Sequence, residues 1–427
     1  MPLNIVIVGA GFAGVFSALS ARRLISLHLN KDPAAADIQV LLIAPEPQLV
    51  LRPRLYESNP ANLVFPLTDL FSATGIHFIQ GTVDAIRVEE KHVLIGSPSG
   101  STSIQPYDRL IFAAGSSLIR APIPGLDDHA FNVDTLSSAV RLENHLQSLK
   151  SKPPSKARNT VIVCGAGFTG IELATEMTGR LRSILGKDAD TKVLLVSRGE
   201  EVGDTLGPGP RHVISRALRQ LGVETKLGTT VTAIDALGIT TQAGERVEAM
   251  TVVWTAGVAA TELSKQIPGD KDALGRLRVD QDLRLPSNKD IFVAGDSACA
   301  PTGDHSHDAL MSCQHAIPMG RAAGYNAAAD LLNLPTAPYY QPSYVTCLDL
   351  GPYGAVLTQG WDRKVVFSGA IAKKIKTYIN GTLIYPPDTT NPTKALAAGN
   401  PALQSATAQQ LQGKALSLVS FFTSKLL

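Results

Sequence analysis

Apolar residues in this chain gather into short β-branched runs that stop at glycine. Residues 5–8, Ile-Val-Ile-Val, run into Gly9, Gly11 and Gly14, and residues 161–164, Val-Ile-Val-Cys, run into Gly165, Gly167 and Gly170. A short continuous apolar run bounded by turn residues is the pattern of a strand buried on both faces. Each glycine cluster leads into a helix-forming stretch, 15–27 in the first copy and 171–185 in the second, then into another apolar run at 38–43 or 192–196. The same strand–turn–helix–strand order therefore occurs twice, with Gly165 lying 156 residues after Gly9. Three further apolar runs end on small residues: 107–115 at Ala114-Gly115, 252–257 at Ala256-Gly257, and 291–296 at Gly295-Asp296. This alternation predicts an α/β chain with parallel sheets. Punctuation at 122–125 and 150–157 predicts hinges.

The glycine spacing has a chemical meaning. G-x-G-x-x-G between a strand and a helix is a dinucleotide-binding fingerprint. Gly9 and Gly165 permit the tight turn, Gly11 and Gly167 let backbone approach a pyrophosphate, and Gly14 and Gly170 let helix pack on strand. The helix start then offers free N–H groups and partial positive charge to the phosphates. One such motif is weak evidence, since glycine turns are common. Two near-identical copies in matching contexts predict two Rossmann-like dinucleotide-binding domains. A duplicated domain with decayed sites is the bland alternative, and nothing in the loops supports decay.

Composition narrows the function. A length of 427 residues gives room for two to three domains. Lys+Arg 39 against Asp+Glu 37 leaves a formal charge of +2, which argues against an electrostatic nucleic-acid binder. Aromatic residues are 5%, too few for stacking platforms that hold single strands. The cysteines Cys164, Cys299, Cys313 and Cys347 form no closely spaced pair, so neither a metal site nor a redox dithiol is spelled locally. No run reaches the ~18 apolar residues of a membrane-spanning helix. The first residues enter a strand with no basic region ahead, so an intracellular, cytoplasmic protein is expected.

Taken together, V-G-A-G-F-A-G at 8–14, A-A-G-S at 113–116, V-C-G-A-G-F-T-G-I-E at 163–172, W-T-A-G-V at 254–258 and I-F-V-A-G-D at 291–296 resemble the two-dinucleotide-domain flavoprotein reductases. Within them the chain is most similar to type II NADH dehydrogenases and apoptosis-inducing-factor-2-like oxidoreductases. The resemblance runs from about residue 4 to about residue 385 and implies that the two Rossmann-like domains are of the glutathione-reductase type. It implies a non-covalent FAD at the first fingerprint, touched by Gly9, Gly11, Gly14, Ala114, Gly115, Gly295 and Asp296. It implies NADPH or NADH at the second, touched by Gly165, Gly167, Gly170, Glu172 and Gly257. From the residues alone, Asp296 could instead cap a helix over 297–300. Chain order implies an FAD-binding domain split into 1–135 and 268–335 and an NAD(P)H-binding domain at 136–267. A C-terminal part, 336–427, would carry strands near 343–368 and a helical tail.

Three positions depart from the family pattern. The acid that meets the FAD ribose is expected at the end of the second strand, where this chain has Ala44. Glu46, two residues on, is the substitute, or else a surface-turn residue. The equivalent strand of the nucleotide domain ends in Ser197 and Arg198, which favour the 2′-phosphate of NADPH through a charge-assisted hydrogen bond. Glu200 and Glu201 lie close enough to oppose that preference. The quinone-reducing members carry A-Q-x-A-x-Q near the flavin; here Gln314 keeps the first amide and Pro318 replaces the second, which puts a quinone acceptor in doubt.

The reaction the resemblance implies asks little of side chains: hydride passes from nicotinamide to flavin, and electrons go on to a second substrate. Glu172 and Gln314 are the candidate catalytic residues, and His315 is the nearest proton source. The acceptor is expected to be a quinone or quinone-like small molecule. A soluble biosynthetic intermediate and a nucleotide-sensing signalling role stay open. Near the C-terminus, Leu411, Ala415, Leu418, Phe422 and Leu426 recur at the spacing of one apolar helical face, and Ile371, Ile375 and Ile379 have Lys373, Lys374 and Lys376 beside them. Such segments either lie on a membrane surface or pack on their own domain or a homodimer partner.

Overall fold

The first apolar run becomes strand β1 (Leu3–Val8), and its glycine turn opens helix α1 (Phe12–His28). The computed structural model describes residues 2–304, 306–403, 410, 411 and 413. Strands β2 (Ile38–Ala44), β3 (His77–Gln80) and β4 (Arg109–Phe112) follow in the first sheet. The second copy of the pattern gives β5 (Thr160–Cys164), helix α2 (Phe168–Leu185), β6 (Lys192–Val196), β7 (Val223–Lys226) and β8 (Thr251–Trp254). The chain then returns to the first sheet with β9 (Arg284–Leu285) and β10 (Asn288–Val293) before helix α3 (Cys313–Leu331). The first sheet has the order β9-β10-β4-β1-β2-β3, and the second has β7-β6-β5-β8, parallel throughout. Strand β10 of the late segment lies directly beside β4.

Register decides what meets at the sheet ends. Val8 pairs with Ile43 and with Phe112, and Phe112 pairs with Val293, so these strands finish level. The residues just beyond them, Gly9, Ala113–Gly115 and Ala294–Asp296, therefore come together at the carboxyl edge, where open α/β sheets bind ligands. In the second sheet Cys164 is level with Val196 and Trp254, which gathers Gly165, Ser197 and Gly257 in the same way. Between the sheets the chain crosses twice, and the crossings Ser116–Leu118 and Val258–Ala260 pair as an antiparallel ribbon.

Helix α3 lies against α1 at backbone contact distance. A Cβ on Gly320 would overlap the Ala13 carbonyl, and one on Gly324 would overlap the Ser17 carbonyl. The C-terminal strands β11 (Val345–Asp349), β12 (Ala355–Gln359) and β13 (Lys364–Gly369) form an antiparallel sheet, followed by helix α4 (Ala370–Tyr378). Leu411 is buried in the cluster of Cys347, Leu357 and Ile375 on this sheet. Ala415, Leu418, Phe422 and Leu426, the rest of the expected apolar tail face, lie outside the described residues. Among the described residues no helix is long and apolar enough to cross a membrane.

The close approach of α1 and α3 yields a paired test. Gly324→Val should destabilise the protein by about 3 kcal/mol or more, because the obstacle is backbone that cannot rotate away. Gly179→Ala, where a Cβ meets nothing within 4 Å in α2, should stabilise it by about 0.5–1 kcal/mol. Urea unfolding of both variants beside the parent checks the pair.

Candidate functional site

The three glycines of each fingerprint divide into two kinds. Gly9 has φ +107°, and a Cβ there would stand 2.5 Å from the Ala113 carbonyl oxygen. A Cβ on Gly14 would overlap the carbonyl of Gly9. In the second copy a Cβ on Gly165, at φ +121°, would stand 2.8 Å from Thr255 Oγ1, and one on Gly170 would overlap the carbonyl of Gly165. These four are required by the fold. Gly11 is different: its φ of −74° suits any residue, and its Cβ would meet nothing within 4 Å. Gly167 is alike, its nearest neighbour being Thr205 Oγ1 at 3.9 Å. Both sit at the N-cap of a long helix whose first N–H groups point outward, so the missing side chains leave room for an anion. The residues present fit a dinucleotide at each turn.

Around the first turn, Gly295 has φ +71° and presses on Ala13, with 2.8 Å from its Cβ position to the Ala13 methyl. Asp296 follows in a single 3-10 turn and caps no helix, which removes the capping alternative. Its Oδ2 accepts from Ser116 Oγ at 2.6 Å and lies 3.6 Å from the Arg52 guanidinium. Arg52 also pairs with Asp134, so one arginine ties the Gly-Asp turn to the crossing between the sheets. Gly115, at φ +73°, has open space where a Cβ would stand. Glu46 is exposed at the end of β2, where the Gln80 amide donates to the Pro45 carbonyl at 3.0 Å and to Glu46 at 3.4 Å. At the second turn, Ser197 Oγ accepts from Gly199 N–H at 3.2 Å, and Arg198 is exposed. Gly257 has φ +85° beside Ile119.

Glu172 lies one turn inside α2 and is 3% exposed. Its Oε1 accepts from Lys376 Nζ at 2.8 Å and from Asp349 N–H at 2.9 Å. Burial pushes the Glu172 carboxyl up to about 7, against the pull of Lys376. Burial opposes the Lys376 charge, yet the carboxylate beside it holds that pKa above its ordinary value. The ammonium also faces the rings of Phe168, at 5.5 Å, and Tyr56, at 6.0 Å. Tyr56 donates to Asp349 at 3.2 Å, and Lys373 pairs with Asp349 at 2.5 Å. This cluster joins the second fingerprint helix to the C-terminal sheet.

Helix α3 brings Cys313 and Gln314 to the same junction. The Cys313 thiol is pushed up to about 11 by burial, and it feels both Lys376 and Asp296. Gln314 Oε1 accepts from Val345 N–H at 3.3 Å, and the helix continues through Pro318. His315 is fully buried, bonded to Tyr339 OH at 2.7 Å and stacked on Tyr344. Burial lowers its pKa to about 4, so the ring is neutral and serves as packing. The four cysteines are free thiols.

The stretch of Ile371, Ile375 and Ile379 with its three lysines packs on its own domain through one face: Lys376 is 5% exposed and turned inward, whereas Ile371 is 42% exposed. The buried face of α4 is Ala372, Ile375 and Lys376, the i, i+3, i+4 set, because Glu172 compensates the charge there. That spacing was readable and places Lys376 on the core side.

The pair supplies an asymmetric test. Glu172→Gln strands the Lys376 ammonium in a buried site and should cost about 3–5 kcal/mol. Lys376→Met should cost less at acid pH, because the Glu172 carboxyl, already raised to about 7, takes up a proton. A group raised in the folded state loses its stabilising contribution as pH climbs through that pKa, so the Lys376→Met deficit should grow from about pH 6 to about pH 8. Chemical denaturation at both ends of that range measures it.

The chain is similar over most of its length to known proteins. An NADH dehydrogenase-like protein of Mycobacterium tuberculosis is 41% identical over 404 residues, covering 94% of this chain and 99% of that one. The demethylphylloquinone reductase of Synechocystis is 28% identical over 366 residues, 83% of this chain and 86% of its own. The solved NDH2 of Plasmodium falciparum, in complex with NADH, superposes with TM-score 0.73 at 14% identity, covering 93% of this chain and 97% of that chain. The model of the pyridine nucleotide-disulphide oxidoreductases matches residues 3–320. The chain belongs to the pyridine nucleotide-disulphide oxidoreductase family.

Proposed function

We propose that this protein oxidises NADH or NADPH through a non-covalent FAD and passes the electrons to a quinone. The observation that carries the reading is the pair of glycines, Gly11 and Gly167, whose side chains are absent for no reason internal to the fold. Gly11 and the first N–H groups of α1 hold the FAD pyrophosphate, and Ala114 and Gly115 leave room for its approach. Asp296, oriented by Ser116 and Arg52, accepts from its hydroxyls. Glu46, just past the carboxyl end of β2 on the same edge, takes the ribose. Gly165, Gly167, Gly170 and Gly257 hold the nicotinamide nucleotide, with Ser197 and Arg198 at its adenosine end. FAD held there would supply the two-electron chemistry between the reduced nicotinamide and the acceptor.

Quinone reduction consumes protons as well as electrons. Lys376 Nζ, 2.8 Å from Glu172, holds a proton where α2 and α4 meet. Glu172, near neutrality in its own pKa, can receive or return it. Gln314 fixes the start of α3 against the C-terminal sheet. Pro318 leaves that arrangement in place, and the relatives include type II NADH:quinone oxidoreductases of Staphylococcus and Mycobacterium tuberculosis. The protein works inside the cell and meets bilayer quinones from the surface. Its C-terminal segment lies on that surface, packs on its own domain as Leu411 does, or pairs with a second copy of the chain.

Two substitutions separate the two turns. Gly11→Val should yield protein without flavin, because the side chain enters the space the pyrophosphate needs. Gly167→Val should keep its yellow colour yet lose reduction by either nucleotide, with menadione turnover falling at least a hundredfold. Flavin absorbance and steady-state NAD(P)H oxidation read both. Full flavin content in Gly11→Val would overturn the assignment of the first turn.

A further inference from the structure

Three carboxylates follow β6, and the structure separates them. Glu201 is drawn away by Arg211, at 2.7 Å. Glu200 lies against Gly228, with its Oε2 2.9 Å from where a Cβ on that glycine would stand. Asp204 alone reaches back over the turn at the end of β6: its Oδ2 would overlap a Cβ placed on Gly199. Asp204 belongs to a 3-10 turn, Asp204–Leu206, bracketed by Gly203 at φ +63° and Gly207 at φ +73°.

That turn is fastened to the fingerprint itself. Gly203 N–H donates to the Ala166 carbonyl at 3.0 Å, within the glycine loop. Asp204 Oδ1 accepts from Thr205 N–H at 2.8 Å, which leaves Oδ2 turned toward Gly199. Thr205 Oγ1 is in turn the nearest atom to the open position over Gly167. The carboxylate therefore stands between the phosphate-binding glycine and the strand end. In this fold the adenosine ribose is read at that place, normally by an acid on the strand. Here the strand end carries Ser197, whose hydroxyl is engaged by Gly199 N–H.

We propose that Asp204 supplies the ribose-reading carboxylate that β6 lacks and thereby selects NADH over NADPH. Its free oxygen accepts from the ribose 2′-hydroxyl. Its charge opposes a 2′-phosphate and offsets the attraction of Arg198 on the same turn. The preference that Ser197 and Arg198 suggest by themselves is thus reversed by a residue six positions after Arg198. The inference rests on the second fingerprint being the nicotinamide-nucleotide site.

The test uses the FAD-loaded enzyme and equilibrium binding of NAD⁺ and NADP⁺ by calorimetry, with kcat/KM for NADH and NADPH as a second readout. Asp204 is exposed, so Asp204→Asn should fold and hold flavin as the parent does. The parent should bind NAD⁺ more tightly than NADP⁺. Asp204→Asn should raise the NADP⁺-to-NAD⁺ affinity ratio tenfold or more, and adding Arg198→Ala should bring much of that gain back down. A parent that prefers NADP⁺, or a ratio moved by less than twofold in Asp204→Asn, would overturn the role of Asp204. Gly167→Val distinguishes the two levels: if it abolishes binding of both nucleotides, the site stands and only the Asp204 result decides. If it leaves both bound, the site assignment fails and the proposal with it.

Discussion

Backbone-to-backbone contact at two glycine turns governs this architecture. In each, the helix must start so close to the strand that a single methyl group on Gly14 or Gly170 would strike the preceding carbonyl. Only with that approach do the helix N-termini stand directly over the strand ends. Close packing then spreads outward. Gly320 and Gly324 bring α3 onto α1 with the same economy of side chains, and Gly295 seats the Gly-Asp turn on Ala13. The positions of Asp296, Cys313 and Gln314 all follow from how closely α1 can be approached.

A second constraint joins the nucleotide-binding half to the C-terminal sheet. A buried carboxylate and a buried ammonium each carry a desolvation cost that their attraction only partly offsets. Glu172 and Lys376 hold together because Asp349 N–H and two aromatic rings add to the pairing. Arg180, also buried, binds Glu143 at 2.5 Å and the Tyr56 carbonyl at 3.0 Å nearby. The result is a polar seam that fixes α2 against the C-terminal sheet. It also places a carboxyl that burial raises to about 7 beside an ammonium that keeps its proton.

What was legible in the sequence was local. The glycine fingerprints, the strands that end on small residues and the long helices after them are patterns within ten or twenty residues, and the observed β1, α1, β5 and α2 follow them. The resemblance implied an FAD-binding domain split along the chain; β10 of the late segment lies beside β4. The partners that tune the site were not legible, because they come from far along the chain. Arg52 and Ser116 reach Asp296 from 244 and 180 positions away, and Lys376 reaches Glu172 from 204. Lys376 did carry a signal, since it shares a helical face with Ala372 and Ile375. For Asp204 there was none, since its effect depends on a loop folding back onto the strand end.

The proposed reaction has one flavin, at the first glycine turn, carry electrons from a nucleotide at the second turn to a quinone. Anaerobic titration of the purified yellow protein with NADH or NADPH, followed by a water-soluble quinone, tests it in one cuvette. The account predicts that about one equivalent of reduced nucleotide bleaches the flavin absorption band, and that about one equivalent of quinone restores it within the time of a turnover. A flavin that neither nucleotide can bleach, or one that bleaches but is not restored by any quinone offered, would contradict it.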